Sequence, residues 1–250
     1  MTSLQTPFDV SVVIPTVLRP DLMRAVHSVF AQDFKRRIQI MIGVDKVDGD
    51  PNILDELRAE CPENVAITVI DPGYSTAQKN GGLYSSFAGG SLRTVLSYAA
   101  NSRYLAYLDD DNWWAPHHLG DLFRVIGDKV WAFSLRWLVD INTRKVICED
   151  DFIAVGPGRG IFKKRHNGLV DTNCLLLDKL NCGPILHLWS HAMFRDQSGE
   201  DRRIFEALHK QFAWGETKRP SVYYTFNPKT YDVIAEMLAK RGYKPSSAGQ

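Results

Sequence analysis

Short apolar runs alternate with amphipathic stretches through the first 110 residues. VSVVIP (10–15) is β-branched and almost wholly apolar, the pattern of a strand buried on both faces. In RPDLMRAVHSVFAQDF, Pro20 and Asp21 suit a helical first turn, and Leu22, Ala25, Val26, Val29 and Phe30 share one face. IQIMIGVD (38–45) and VAITVID (65–71) read as second and third strands. The helix between them opens at Asp50 and Pro51 and buries Ile53, Leu54 and Leu57. A loop from Pro72 to Gly90, rich in Gly, Ser and Tyr, is longer than most connections. SLRTVLSYAANS then predicts a helix and YLAYL (104–108) a fourth strand. Such alternation predicts an α/β fold with a largely parallel, doubly wound sheet, where ligands bind beyond the carboxyl ends of the strands. Asp45, Asp71 and the triplet Asp109–Asp111 each lie at such an end.

The second half is less regular. Val130–Asp140 and Lys145–Ala154 predict a strand pair around INTRK, and VGPGRGIFKKRHNG a basic, Gly-rich loop of the kind that moves over a ligand. SGEDRRIFEALHKQF predicts a helix behind an acidic loop, SVYYTF a late strand, and KTYDVIAEMLAKRG a closing amphipathic helix. Neither repeat nor linker divides the chain. A single domain over 1–243 is expected, with a nucleotide-type half at about 8–115, a smaller mixed half at about 116–243, and a disordered tail over 244–250.

Composition narrows the function. Of 250 residues, 44% are apolar and 24% charged, as in soluble globular proteins. A formal charge of +1 gives no electrostatic case for binding nucleic acid or coating an anionic membrane. Four cysteines without a C-x-x-C pair suit reduced thiols. The N-terminal stretch lacks signal-peptide character and no apolar run is long enough to span a membrane, so a cytoplasmic protein is expected.

The candidate chemistry lies in YLAYLDDDNWW, where an apolar strand runs into three carboxylates. Two unit charges about 6 Å apart repel by roughly 3 kcal/mol at an effective dielectric near 20. Solvent, cationic side chains or a metal ion must therefore surround Asp109, Asp110 and Asp111. If the strand persists, Asp109 and Asp111 point to one side and Asp110 to the other. Two oxygen donors there suit Mg²⁺ or Mn²⁺ bound to a diphosphate; a solvated acidic turn capping the helix PHHLGDLF is the alternative. Glu200 and Asp201 suit either a helix N-terminus or acid–base chemistry. Trp113 and Trp114 could stack on a sugar or anchor the helix to the sheet. Asp171 faces a cleft or ends a turn. His187 and His191, without the H-E-x-x-H pattern, form a packed or acceptor-side pair.

Three stretches together resemble the family-2 glycosyltransferases of the GT-A fold: VVIPTVLRPDLMRAVHSVFAQDF, GGSLRTVLSYAANSRYLAYLDDDNWW and SGEDRRIFEAL. The family's Asn after the Arg is Thr94 here, and its next Gly is Leu96. The resemblance implies a GT-A, Rossmann-like, mostly parallel sheet flanked by helices, with a smaller mixed acceptor-side half, and would make a cleft at Asp171 the acceptor's. It implies Pro15, Thr16 and Arg19 beside the nucleotide, Asp45 at the base, and Arg93 supporting the diphosphate-proximal loop. Asp109 falls at the ribose or donor sugar and also as a second metal ligand, Asp111 is the leading ligand of Mn²⁺ or Mg²⁺, and Asp110 shares either role. Asp201 is the implied catalytic base, with Glu200 second. The implied reaction is inverting and metal-dependent: a sugar moves from a nucleoside diphosphate sugar, a UDP-sugar for preference, to a glycan or lipid-linked acceptor in polysaccharide biosynthesis. No nucleic-acid partner or membrane span is expected; peripheral membrane association is compatible. A sugar nucleotidyltransferase would carry a Gly-rich basic loop where PTVLRPD stands, and a catalytically silent binding module would keep the fold alone.

Overall fold

Buried along most of its length, the first apolar run becomes β1 (Phe8–Thr16), the axis of the sheet in this computed structural model, which describes residues 7–86, 89–226, 232–240 and 242. Strand and helix then alternate through α1 (Asp21–Phe30), β2 (Ile38–Val44), α2 (Ile53–Ala59), β3 (Val65–Ile70), α3 (Gly90–Ala99) and β4 (Ser102–Tyr107). β1 pairs in parallel with both β2 and β4, and β3 extends the sheet beyond β2. α1 turns Leu22, Ala25, Val26 and Val29 inward, the face its spacing predicts.

The second half comprises β5 (Trp113–Trp114), α4 (His118–Ile126), β6 (Trp131–Asp140), β7 (Val146–Glu149), β8 (Gly156–Pro157), α5 (Lys163–His166), β9 (Gly168–Leu169), β10 (Leu175–Asp178), α6 (Lys179–Cys182), α7 (Glu200–Gln211), β11 (Trp214–Phe226) and α8 (Asp232–Lys240). One sheet runs in the order β3-β2-β1-β4-β10-β6-β11-β5, with β7 on the outer half of β6; β8 and β9 form a separate hairpin. β10 is antiparallel to both β4 and β6. The main core packs β1, β2, β4, β6 and β10 against the helices, with Ile14, Ile40, Leu105, Phe133 and Leu176 buried. Each such side chain contributes about 1.5–3 kcal/mol on burial. A smaller cluster gathers Leu138, Phe152, Ile153 and Phe226 beneath Ile234 and Leu238 of α8.

The structure corrects several boundaries. The partner of β6 ends at Glu149, not Ala154, because the Asp150 carboxylate accepts from the backbone N–H groups of Phe152, Ile153 and Ala154 and turns the chain. β11 begins at Trp214, seven residues before SVYYTF, and pairs with β6 through a register shift near Pro220. The basic loop contains the β8–β9 hairpin and α5. All four cysteines are free thiols. No helix among the described residues is long and apolar enough to cross a membrane. The tail expected over 244–250 lies outside the described residues.

Candidate active site

A cleft of about 270 Å³ opens where β1 and β4 end. Pro15 and Thr16, the last two residues of β1, and Arg19, just past it, line it. Thr16 Oγ1 donates to Asp110 Oδ2 at 2.7 Å and accepts from Leu18 N at 2.9 Å, so one hydroxyl fixes both its own turn and the facing carboxylate. Arg19 reaches across the cleft, with Nε 3.2 Å from Asp110 Oδ2 and Nη1 3.5 Å from Asp111 Oδ2.

The acidic triplet does not continue the strand. β4 stops at Tyr107, and Asp109–Asp111 form a turn closed by Asn112 N donating to Asp109 O at 3.1 Å. The alternation of sides expected of a strand therefore gives way, and all three aspartates line the cleft. Their surroundings differ. Asp109 is ion-paired with Arg93 through Oδ1 and accepts from Asn173 Nδ2 through Oδ2. Asp110 is buried, and burial pushes its carboxyl above the usual range while the Thr16 hydrogen bond and Arg19 oppose the shift. Asp111 accepts no side-chain hydrogen bond among the described residues. Burial, reinforced by Asp109 and Asp110, pushes its carboxyl up to about 7. Its backbone is pinned instead: Asp111 O accepts from Thr225 Oγ1 at 2.7 Å and from Arg24 Nη2 at 3.2 Å.

Arg93 enters the cleft from the first turn of α3. Gly89 precedes that turn with φ of 75°, and a Cβ there would lie 2.6 Å from Pro15 Cβ, so only glycine lets the helix start against β1. The buried guanidinium stands between Asp109 and Glu200, with Nη1 3.9 Å from Glu200 Oε1. Glu200 and Asp201 open α7 after Gly199, whose φ is 86°. The side chain of Asp201 accepts only from its own neighbour, Arg202 N, among the described residues. Burial raises the carboxyls of both Glu200 and Asp201. The two acidic motifs, some 90 positions apart, thus meet through Arg93, although Asp201 itself is not part of the cleft wall.

Other expected residues divide. Asp45 lines the cleft, but its oxygens accept from Ser75 Oγ, Thr76 N and Thr76 Oγ1, so it also anchors the long loop after β3. Asp71, the other acidic strand end, bonds Gly73 N and lies away from the cleft wall. Trp113 stacks on Tyr223 and also carries the Arg24 guanidinium 4.3 Å from its ring centroid; Trp114 is buried, stacked on His118, and donates to Asn173 O. Asp171 is held by Arg136. His191 is exposed and contacts His187 O. Sequence reasoning missed Gly89, Asn112, Tyr224 and Thr225, which also line the cleft. Asn112 directly follows the triplet and was open to notice; Tyr224 and Thr225 arrive only because β11 pairs with β5 and β6.

A divalent cation would find one suitable carboxylate here, Asp111, which faces the cleft and is met by the Arg19 guanidinium at 3.5 Å, a longer and looser contact than those that engage Asp109 and Asp110. Asp109 offers only the remaining lone pairs of oxygens already engaged by Arg93 and Asn173. No cluster of three or more His, Cys, Asp or Glu side chains among the described residues could hold a metal alone. The donor set therefore fits an ion that takes its other ligands from a diphosphate and water.

Residues 11–135, half of the chain, match the family described as "Glycosyl transferase family 2". No curated protein matches the sequence. Among solved structures, S. aureus TarS 1-349 is similar at 14% identity and a TM-score of 0.59, covering 96% of this chain and 67% of that one. The same fragment in complex with UDP-GlcNAc gives 13% identity and a TM-score of 0.60, with 96% and 68% covered. S. aureus TarS over a longer chain gives 14% and 0.59, but only 40% of it is covered. At such identities the likeness is one of fold.

Proposed function

We propose, since this chain belongs to glycosyl transferase family 2, that it transfers a sugar from a nucleoside diphosphate sugar to a hydroxyl of a glycan or lipid-linked acceptor, with inversion and with help from Mn²⁺ or Mg²⁺. The observation that carries this reading is the convergence of Asp109, Asp110, Asp111, Arg93 and Arg19 on one cleft at the carboxyl ends of β1 and β4. Similar folds solved with UDP and with UDP-GlcNAc support a uridine donor.

Each side chain then has a task. Pro15, Thr16, Arg19 and Asp45 flank the nucleotide, and Arg19, whose side chain is partly exposed, is the cation placed to exchange Asp110 and Asp111 for phosphate oxygens. Arg93, fixed between Asp109 and Glu200, orients Asp109 toward the donor sugar. Asp111 would hold the divalent ion, whose charge offsets that developing on the departing diphosphate. Asp201 takes the proton of the acceptor hydroxyl; a carboxylate with a raised pKa is a better base near neutral pH than an ordinary one. Direct attack from the side opposite the diphosphate inverts the anomeric centre. A cytoplasmic setting, with the acceptor drawn from a glycan or a membrane surface, is consistent with this chemistry.

Calorimetry with uridine and guanosine diphosphates, with and without Mn²⁺, tests the reading. Metal-strengthened binding of one of them is expected; binding of neither would overturn it.

A further inference from the structure

Asn173, just before β10, is fully buried, and each of its polar groups has a partner in a chain that ends at the cleft. Asp109 N donates to Asn173 Oδ1 at 2.6 Å. Because a backbone N–H can only donate, this bond fixes which side of the amide carries oxygen. The two protons on Nδ2 are then used by Asp109 Oδ2 at 2.9 Å and Asp171 Oδ1 at 2.8 Å. Asn173 N also donates to Asp171 Oδ1, at 2.9 Å, and Trp114 Nε1 donates to Asn173 O at 3.0 Å.

Asp171 is held from behind by the buried guanidinium of Arg136, whose Nε donates to Asp150 Oδ2 at 2.8 Å. That guanidinium also lies 3.9 Å from the ring centroid of Tyr224, a cleft-lining residue. Asp150, Arg136, Asp171, Asn173 and Asp109 thus form one continuous path, buried at Asp150, Arg136 and Asn173, from the turn after β7 to the cleft. A buried amide satisfied at every atom has a single rotamer, and so does the carboxylate it clasps.

We propose that Asn173 is a positioning residue for transfer: it holds Asp109 in the rotamer that keeps Oδ1 on Arg93 and presents the carboxylate to the donor sugar, while Arg136 and Asp171 hold Asn173. The inference rests on the reading of the cleft as a nucleotide-sugar site. It assigns a role to a residue beyond the family match, from the far half of the chain.

A double-mutant cycle separates positioning from mere packing. Asn173→Ala, Asp109→Ala and the double variant are compared for donor KM, kcat and the Kd of uridine diphosphate. Asn173→Ala is expected to lower kcat/KM about 10- to 100-fold, the loss that follows removal of one hydrogen bond to a charged group. The Kd of uridine diphosphate should move less than about threefold, and in the Asp109→Ala background the further loss should also stay below about threefold. Asn173→Ser, which retains a smaller polar group, serves if the alanine variant does not fold. Equal losses in both backgrounds, or a parallel loss of uridine diphosphate binding, would overturn the proposal alone. Absence of nucleotide binding by the wild type would overturn it together with the reading beneath it.

Discussion

Thr16 at the end of β1 donates a hydrogen bond to Asp110, 94 positions later, over 2.7 Å. Arg19 adds its charge to the same carboxylate. The bond ties the two strand ends that frame the cleft and offsets part of the cost of burying an anion. Thr16→Val keeps the shape and removes the donor, leaving Leu18 N and Asp110 each short of a partner. A loss of about 1–3 kcal/mol is expected, read as a lower urea midpoint at unchanged slope, with Thr16→Ser close to wild type.

Asp201→Asn removes the proposed base without altering the start of α7. Sugar transfer should fall by about 10²- to 10⁴-fold, while uridine diphosphate binds as before. Steady-state rates beside calorimetry check both halves of the statement; transfer near the wild-type rate would remove Asp201 from the mechanism.

The Asp111 carboxyl sits at about 7 against an ordinary 3.8. Between those values the folded chain holds a proton that the unfolded chain has released, so this group's contribution to stability falls as pH rises through the interval. In the presence of a chelator, Asp111→Asn should melt above the wild type at pH 8 and converge with it below pH 4. Adding Mn²⁺ at pH 8 should raise the melting temperature of the wild type and leave the variant unmoved.

Gly89→Ala would strain a backbone at φ of 75° and push a methyl group to 2.6 Å from Pro15 Cβ. Because both residues line the cleft, nucleotide affinity and thermal stability should fall together. A variant that keeps both would show that α3 can shift away from β1 without cost.

The first half was legible because β1 and β2 are buried on both faces and α1 on one, patterns that burial writes directly into VSVVIP, IQIMIGVD and the face of α1. The acidic triplet was legible for an electrostatic reason: three adjacent carboxylates at the end of an apolar run need company. Its geometry was not, since whether Asp109 to Asp111 continue a strand or turn depends on Asn112 and on β11. Asn173, Tyr224 and Thr225 left no local trace. They matter only through contacts between segments far apart in the chain, 64 positions for Asn173 with Asp109 and 114 for Thr225 with Asp111, and a single polar residue in DTNCLLLD or SVYYTF does not announce its partner. Asp45 and Asp71 looked equivalent in sequence; only the position of Ser75 and Thr76 separates them.

The placement of β10 between β4 and β6 bears on how the molecule is made. During synthesis the outer edge of β4, with Leu105 and Ala106, waits unpaired until Leu176 and Leu177 emerge some seventy residues later. A fragment cut after residue 115 would present that bare edge to other copies, and such edges recruit neighbours into aggregates. Residues 8–115 are therefore not expected to form a portable module: excised, they should precipitate, and in the intact chain they should unfold in one step with the rest of the sheet.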